Sequence, residues 1–180
     1  MSHSLRLALC SMIAAMGTAI MFLTGLIPFG TYALPAFAGI LLFPVVIEIG
    51  TKWAVGIFVA ESVLSVFLAP DKEALACFIL FFGYYPILKA VLEHRLQKRW
   101  ICMAVKLLVF NTAMLLEFWI AVAVLQTPLE AFFVFGVFIP FLLILAGNIL
   151  FIIYDYALSL LVVSYCNRIH MSVRKWFHMK

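Results

Sequence analysis

Two carboxylates and two amides stand inside long apolar runs of this sequence, where polar side chains are rare. Glu61 and Glu117 have no Lys or Arg at a comparable depth in those runs. A charge in hydrocarbon costs at least ~2.5–3.5 kcal/mol. Each carboxyl must therefore face a water-filled cavity, which we predict, or be protonated and hydrogen-bonded. Asn111 and Asn148 fit ligand binding and hydrogen bonds between helices about equally well.

A cluster of aromatic residues adds a second kind of binding chemistry. In the run F-F-G-Y-Y-P, Phe81 to Pro86, a glycine and a proline disturb a helix beside two tyrosine hydroxyls that need partners. Stacked aromatic rings with a few fixed polar groups commonly hold ring-shaped solutes. The predicted substrate-binding residues, which include a tyrosine in the outer loop, are Tyr32, Glu61, Tyr84, Tyr85, Glu117 and Asn148.

Several catalytic and metal-binding patterns are absent from the sequence. It contains no G-x-x-x-x-G-K-[ST], H-E-x-x-H or G-x-S-x-G, so it lacks a P-loop and these hydrolase signatures. Its four histidines are scattered, all on the predicted cytoplasmic side. We therefore expect a protein that is not an enzyme and that holds neither a metal site nor a cofactor.

The composition sets the class of protein. Of 180 residues, 67% are hydrophobic and only 11% are charged, whereas soluble domains carry about a quarter charged residues. We predict one all-α integral membrane domain over residues 1–180. The net charge of +4 does not indicate nucleic-acid binding, because the basic residues cluster beside membrane ends, where they meet the lipid bilayer.

Apolar runs bounded by Pro, Gly and charged residues predict a compact bundle of six transmembrane helices. Pro28 and Gly30 are expected to end the first helix, Asp71 to cap the fourth and Pro86 to kink it, and Pro140 and Gly147 to bend the sixth. A turn is expected at residues 126–128, and a basic cytoplasmic tail at 166–180. The predicted helices span residues 5–27, 34–49, 52–68, 73–92, 102–125, and 130 or 133 to 165.

The distribution of basic residues predicts the orientation. The stretch Lys89–Lys106 holds five of the twelve Lys and Arg residues and lies between two apolar runs, so we expect a cytoplasmic basic loop. Both termini then fall in the cytoplasm, and eleven of the twelve basic residues lie on that side. Near the same side, Asp155 is expected to pair with Lys52 or Lys106.

The predicted outer half is acidic. It contains five acidic residues against one basic residue, Lys72, and a pocket open to that side favours a neutral or cationic solute over an anion. The five are Glu61, Asp71, Glu73, Glu117 and Glu130.

Small residues form a stripe on the first helix at i+3 and i+4 spacing: Ala8, Ser11, Ala15 and Ala19. Such a stripe lets another helix approach closely. The partner helix is either part of the same bundle or part of a separate membrane subunit that docks there.

The chain as a whole resembles a substrate-binding S-component of the energy-coupling factor (ECF) transporters. The resemblance rests on the length, the six predicted helices and the Ala-rich first helix, L-A-L-C-S-M-I-A-A-M-G-T-A-I-M-F-L. Within it, Ala15-Met16-Gly17-Thr18-Ala19 matches the family's A-x-x-x-A pattern. The N-terminal Met1-Ser2-His3-Ser4 does not match the metal-binding start of the nickel and cobalt members.

This resemblance implies a function and a set of partners. In the family, the first helix docks on a transmembrane coupling subunit, which is joined to two cytoplasmic ATPases, in a bacterial-type plasma membrane. A small solute, usually a vitamin or its precursor, is held near the outer face. By resemblance, Ala15 and Ala19 are docking residues.

Two other classes stay open on the sequence. A small structural membrane protein of the MreD type is also compact and multi-span, and its intramembrane carboxyls would be satisfied by neighbouring side chains. A self-contained secondary transporter is the other, although the sequence lacks an inverted repeat and is short for that class.

Overall fold

The computed structural model describes residues 3–27, 30–96, 98–123, 133–134, 137–138 and 140–168. In this part of the chain nearly all residues are helical. The elements, in order, are α1 (His3–Phe22) with a 3₁₀ turn (Leu23–Gly25), α2 (Ala33–Glu48), α3 (Thr51–Leu68), α4 (Lys72–Cys77) with a π-helical segment (Phe78–Phe82), α5 (Tyr85–Arg95), α6 (Arg99–Ala123), β1 (Phe133–Val134), β2 (Val137–Phe138) and α7 (Pro140–Arg168).

Five helical segments of the described chain are long and apolar enough to cross a membrane, which makes it compatible with a multi-pass membrane protein. α2 is apolar but has only 16 residues, about 24 Å at 1.5 Å per residue, less than a hydrocarbon core of about 30 Å. The predicted helical bundle is therefore confirmed, whereas six full spans and two cytoplasmic termini stay predictions. The five segments are His3–Gly25, Thr51–Leu68, Lys72–Arg95, Arg99–Ala123 and Ile144–Asn167.

The fourth predicted helix is interrupted before its proline. A π-helical segment ends at Phe82, a turn follows at Gly83 and Tyr84, and Pro86 lies in the first turn of α5. Proline has no N–H to continue a helical ladder but fits the start of a new helix. The helix is therefore disturbed just before Pro86, by the π-helical segment and the turn, and not by a kink at Pro86 itself. Gly39 of α2 packs here, where an added Cβ would lie 2.1 Å from the carbonyl oxygen of Phe82.

The sixth predicted helix begins later than expected. Instead of helix from residue 130 or 133, β1 and β2 pair antiparallel, with Phe133 opposite Phe138. Pro140 starts α7 and does not bend it, as suits a residue favoured in the first helical turn. At its other end α7 continues to Arg168, three residues beyond the predicted end of the helix at residue 165. Pro28, the turn at 126–128, Glu130 and residues 169–180 lie outside the described part of the chain.

The connections at the two ends of α3 are short and fixed by local chemistry. Gly50 adopts φ 114°, a conformation that favours glycine, between α2 and α3. Asp71 caps α4 as predicted, because its carboxylate accepts hydrogen bonds from the backbone N–H groups of Glu73 and Ala74 at 2.9 and 3.1 Å. The Thr31 hydroxyl donates to the same carboxylate at 2.9 Å. We call the end of the bundle at this connection the α3–α4 end, and the opposite one the α5–α6 end.

The interior has an aliphatic part and an aromatic part. α1 packs against α2 and α3 through Cys10 and through mostly aliphatic side chains that include Leu42 and Ile57. The π-helical segment, α5, α6 and α7 instead meet around aromatic rings, where Phe110 and Phe151 stack with centroids 4.8 Å apart. The two parts differ even more in how they hold their buried polar groups.

Candidate functional site

Four charged side chains form a cluster between α5, α6 and α7, which we call the ion cluster: Lys89, Glu93, Lys106 and Asp155. Lys89 is 1% exposed, Lys106 4% and Asp155 6%. Lys89 Nζ lies 2.6 Å from Asp155 Oδ1, and Lys106 Nζ lies 3.0 Å from the same oxygen and 2.7 Å from Glu93 Oε1. The two positive and two negative charges balance, so the ion cluster carries no net charge, which favours its burial.

Tyr85 and Ser159 complete the hydrogen bonds of the ion cluster. The Tyr85 hydroxyl donates to Asp155 Oδ1 at 2.6 Å, and Lys89 Nζ donates to Ser159 Oγ at 2.8 Å. Burying charges is tolerated when hydrogen bonds replace the lost water. The ion cluster therefore ties three helices together near the α5–α6 end.

The ion cluster corrects two sequence predictions and confirms a third. The pair Asp155–Lys106 is confirmed, but Lys52 lies exposed in the first turn of α3, and Lys89 takes the second position instead. The stretch Lys89–Lys106 is also mostly helical, because α5 runs to Arg95 and α6 begins at Arg99. Lys89 and Lys106 thus lie in helices with their side chains in the bundle interior, and not in a loop.

Asn111 and Asn148 hydrogen-bond each other between α6 and α7. Each amide nitrogen donates to the other's side-chain oxygen at 3.0 Å. Each also donates to the carbonyl four residues earlier in its own helix, at 2.8 Å. Of the two explanations that the sequence allows, the contact between helices is the one observed. Asn148, a predicted substrate-binding residue, thereby uses both amide N–H groups within the protein.

The two tyrosines of the aromatic cluster share one ring neighbour and differ in their other contacts. Tyr85 is completely buried and bonds to Asp155. Tyr84 packs edge-on against Phe58 and Phe81, with ring centroids 6.1 and 6.5 Å away. Phe81 also lies 4.7 Å from the ring of Tyr85, so the two tyrosines share one aromatic neighbour, and Tyr85 in addition hydrogen-bonds to the ion cluster.

Tyr32 and Glu117 lie in the same region at the α3–α4 end. The Cys77 thiol donates a hydrogen bond to the Glu117 carboxylate. Tyr32 is 60% exposed. Desolvation of its hydroxyl raises the pKa of Tyr32 to about 12, reinforced by the electrostatic influence of Cys77, Glu117, Glu73 and Asp71. This region is therefore acidic and has a neutral phenol at its surface.

Glu61 does not face the cavity that we predicted for it. Its side chain is 0% exposed, and neither carboxyl oxygen has a hydrogen-bond partner among the described residues. It lies against Gly17 of α1, where an added Cβ would stand 2.0 Å from Glu61 Oε1. Tight packing against a neighbouring helix has taken the place of water.

The stripe of small residues on α1 lies outside the bundle. Ala8, Ser11, Ala15 and Ala19 are all exposed, whereas Gly17 and Met21 on the other side of α1 are buried. Within the described chain, the stripe therefore does not pack inside the bundle. It borders a groove of about 440 Å³ lined by Ala15, Thr18, Ala19, Phe22, Leu23 and Leu68.

The six predicted substrate-binding residues thus occupy four places. Tyr32 and Glu117 are together at the α3–α4 end, Tyr84 and Tyr85 are in the aromatic interior, Glu61 is between α1 and α3, and Asn148 is between α6 and α7. The burial of Lys89 was not predicted from the sequence. Its position four residues before Glu93 and within an apolar run was the signal that could have found it.

Comparisons of the chain with protein-family models, curated proteins and solved structures found no match. The class of protein is therefore inferred from the sequence and structure of this chain alone. Its described part contains five helices long and apolar enough to cross a membrane, which indicates a multi-pass membrane protein.

Proposed function

We propose that this protein is the substrate-binding subunit of an ECF-type importer of a vitamin or another micronutrient. It captures a small solute from the outer side and docks through α1 on a transmembrane coupling subunit, which two ATPases energise. It performs no catalysis and lies in a bacterial-type plasma membrane. The proposal extends the resemblance of the first helix to this family.

The exposed stripe of small residues on α1 carries the proposal. One side of α1 is occupied by α2 and α3, and no other described residue covers the stripe at Ala8, Ser11, Ala15 and Ala19, which leaves it to lipid or to another protein. Helices associate in membranes through small residues, because these let the two backbones come close. The groove beside Ala15 and Ala19 offers room for side chains of a partner helix.

The docking experiment uses bulky substitutions on two faces of the protein. Ala15→Trp and Ala19→Trp place an indole where two backbones are to meet, so we expect copurification with an ECF coupling module to fall about ten- to hundredfold. Val63→Trp is the control, because Val63 is a 54% exposed apolar residue on α3. Unchanged copurification of both Ala variants would reject docking through α1.

The α3–α4 end is the place where we propose that the solute binds. Tyr32 and Glu117 lie there beside Asp71 and Glu73, and this acidic surrounding favours a neutral or cationic solute. A native mass spectrum of the purified protein identifies a retained solute, and Glu117→Gln is expected to lower its occupancy. Asn148→Leu tests the other predicted site, between α6 and α7. A solute whose occupancy neither variant changes would place binding elsewhere.

A structural membrane protein of the MreD type is the second candidate. It is favoured by one observation, the hydrogen bond from Cys77 that satisfies Glu117 without a ligand. This candidate predicts that the purified protein retains no solute and that Ala15→Trp leaves the coupling module unaffected. The two experiments above therefore separate the candidates.

A further inference from the structure

The contact between α1 and α3 contains a carboxyl group that nothing else in the described protein neutralises. Glu61 is the eleventh residue of the 18-residue helix α3, and it is 0% exposed with both oxygens unpartnered in the described residues. One turn later Ser65 is also 0% exposed, and its hydroxyl has no partner there either. A buried carboxylate without a counter-charge is far more costly than a buried neutral acid.

The carboxyl of Glu61 fills the space that a side chain at position 17 would need. A Cβ on Gly17 would stand 2.0 Å from Oε1 and 2.6 Å from the carboxyl carbon. The carboxyl thus lies directly against the backbone of α1. At this contact, packing against α1 replaces the water that an ionised carboxyl requires.

No cation of the described residues is placed to neutralise Glu61. Lys52 is nine residues away on α3, or about 14 Å along the helix. Lys72 is engaged with the carbonyl oxygens of Val66 and Ala69, and Lys89 belongs to the ion cluster. Glu61 has no ion pair or hydrogen bond with any described titratable group on the elements packed against α3, or with Tyr84 in the turn before α5. The groups on those elements are His3, Arg6, Cys10, Glu48, Lys72, Glu73, Cys77, Tyr85, Lys89, Glu93, His94 and Arg95.

We propose that Glu61 is a proton-binding site that holds α1 against α3. The protonated carboxyl fits against Gly17. Loss of the proton creates a charge that must be hydrated, and hydration requires α1 to move away from α3. The proton site is a property of this chain alone. Its consequence for docking rests on the proposed function. Because α1 also carries the exposed stripe, a movement of α1 on proton release would change the position of the helix that docks.

The pH dependence of unfolding tests the proton site in the purified chain. An exposed carboxyl ionises above about pH 4.3, so unfolded protein releases a proton that the folded protein keeps. The folded state then loses stability as pH rises, by roughly 3–5 °C in unfolding temperature per pH unit while folded Glu61 stays protonated. Glu61→Gln keeps the shape without the proton and removes this part of the slope.

Two further variants complete the experiment. Glu73→Gln is the matched control, because Glu73 is an exposed carboxylate and its replacement leaves the slope as in the wild type. The double variant Gly17→Ala/Glu61→Ala puts a methyl group where the carboxyl was, and it gives the same reduced slope as Glu61→Gln. This second neutral variant decides the matter if Glu61→Gln does not fold.

The movement of α1 is read from the reaction of Cys10 with a small maleimide. Cys10 lies on α1, is 6% exposed and packs into the aliphatic part of the interior. At the same alkaline pH, we expect Cys10 to react at least about tenfold faster in wild type than in Glu61→Gln. Equal pH slopes and equal reaction rates in the two proteins would overturn the proposal. That result would leave docking through α1 intact, since no partner is present in either measurement.

Discussion

The two sides of the bundle differ in how their buried ionisable side chains are paired. In the ion cluster, Lys89, Lys106 and Asp155 are buried together with every charge paired and hydrogen-bonded. Between α1 and α3, Glu61 is buried at least as deeply and has no described partner. A paired network holds helices in a fixed arrangement, whereas a single carboxyl can do so only while it is neutral. The comparison suggests a fixed half, α5 to α7, and a half whose helix α1 responds to protonation.

Breaking the ion cluster has the largest expected effect. Asp155→Ala leaves Lys89 and Lys106 with Glu93 as their only ion-pair partner within the described chain. Removing one side of a buried pair typically costs 3–5 kcal/mol, so we expect a loss of about that size in the free energy of unfolding in detergent. Glu61→Leu, which removes an unpaired carboxyl, serves as the contrast and should lose much less. Similar losses for the two variants would mean that the halves do not differ.

Overpacking the contact between α1 and α3 has the second-largest expected effect on stability. Gly17→Ala drives a Cβ into the Glu61 carboxyl, and we expect about 1–3 kcal/mol lower stability in detergent. Gly56→Ala is the matched control on α3, because an added Cβ there meets nothing within 4 Å. It should be neutral or more stable by up to ~1 kcal/mol, since alanine favours helix. Equal effects of the two substitutions would show that Gly17 is not in close contact with Glu61.

The amide pair of the fixed half has a smaller expected effect. A double-mutant cycle of Asn111→Ala and Asn148→Ala isolates their two mutual hydrogen bonds, which are both 3.0 Å long. Hydrogen bonds between membrane helices contribute about 0.6–2 kcal/mol, so we expect a coupling energy in that range. A coupling near zero would mean that the two amides act independently.

The helix cap at the α3–α4 end has the smallest expected effect. Asp71→Ala removes two bonds to the first turn of α4 and one from Thr31. Loss of a cap costs about 1 kcal/mol. Glu73→Ala, in the same turn but without the capping role, should change the stability less. If Glu73→Ala proved the more damaging, the assigned cap would be wrong.

Much of this architecture could be predicted from local sequence. The ends of α2 and α3 lie within one residue of the prediction, because Gly50 and the Pro70-Asp71 turn break the apolar runs there. The cap at Asp71 and the pair Asp155–Lys106 followed from residue type and membrane depth. Such features depend on the neighbours in sequence and on the cost of a buried charge.

The rest depends on contacts between distant parts of the chain. Tyr85 reaches Asp155 across 70 residues, and no local pattern indicates that bond. The end of the π-helical segment lies against Gly39, and the carboxyl of Glu61 lies against Gly17, and both are contacts with a distant helix. Depth in the membrane predicts that a carboxyl is costly. It does not predict whether water, a cation or a glycine will face it.

Photo-cross-linking from α1 tests the central claim, that this helix docks on a separate membrane subunit, most directly. A diazirine side chain of about methionine size replaces Met12, which is 66% exposed and lies between Ala8 and Ala15 along the stripe. The same group at Val63 of α3 is the control. In cells that contain the coupling module, we predict an adduct with its transmembrane subunit from position 12 and none from position 63. Adducts with lipid alone from position 12, or equal protein adducts from both positions, would contradict the claim.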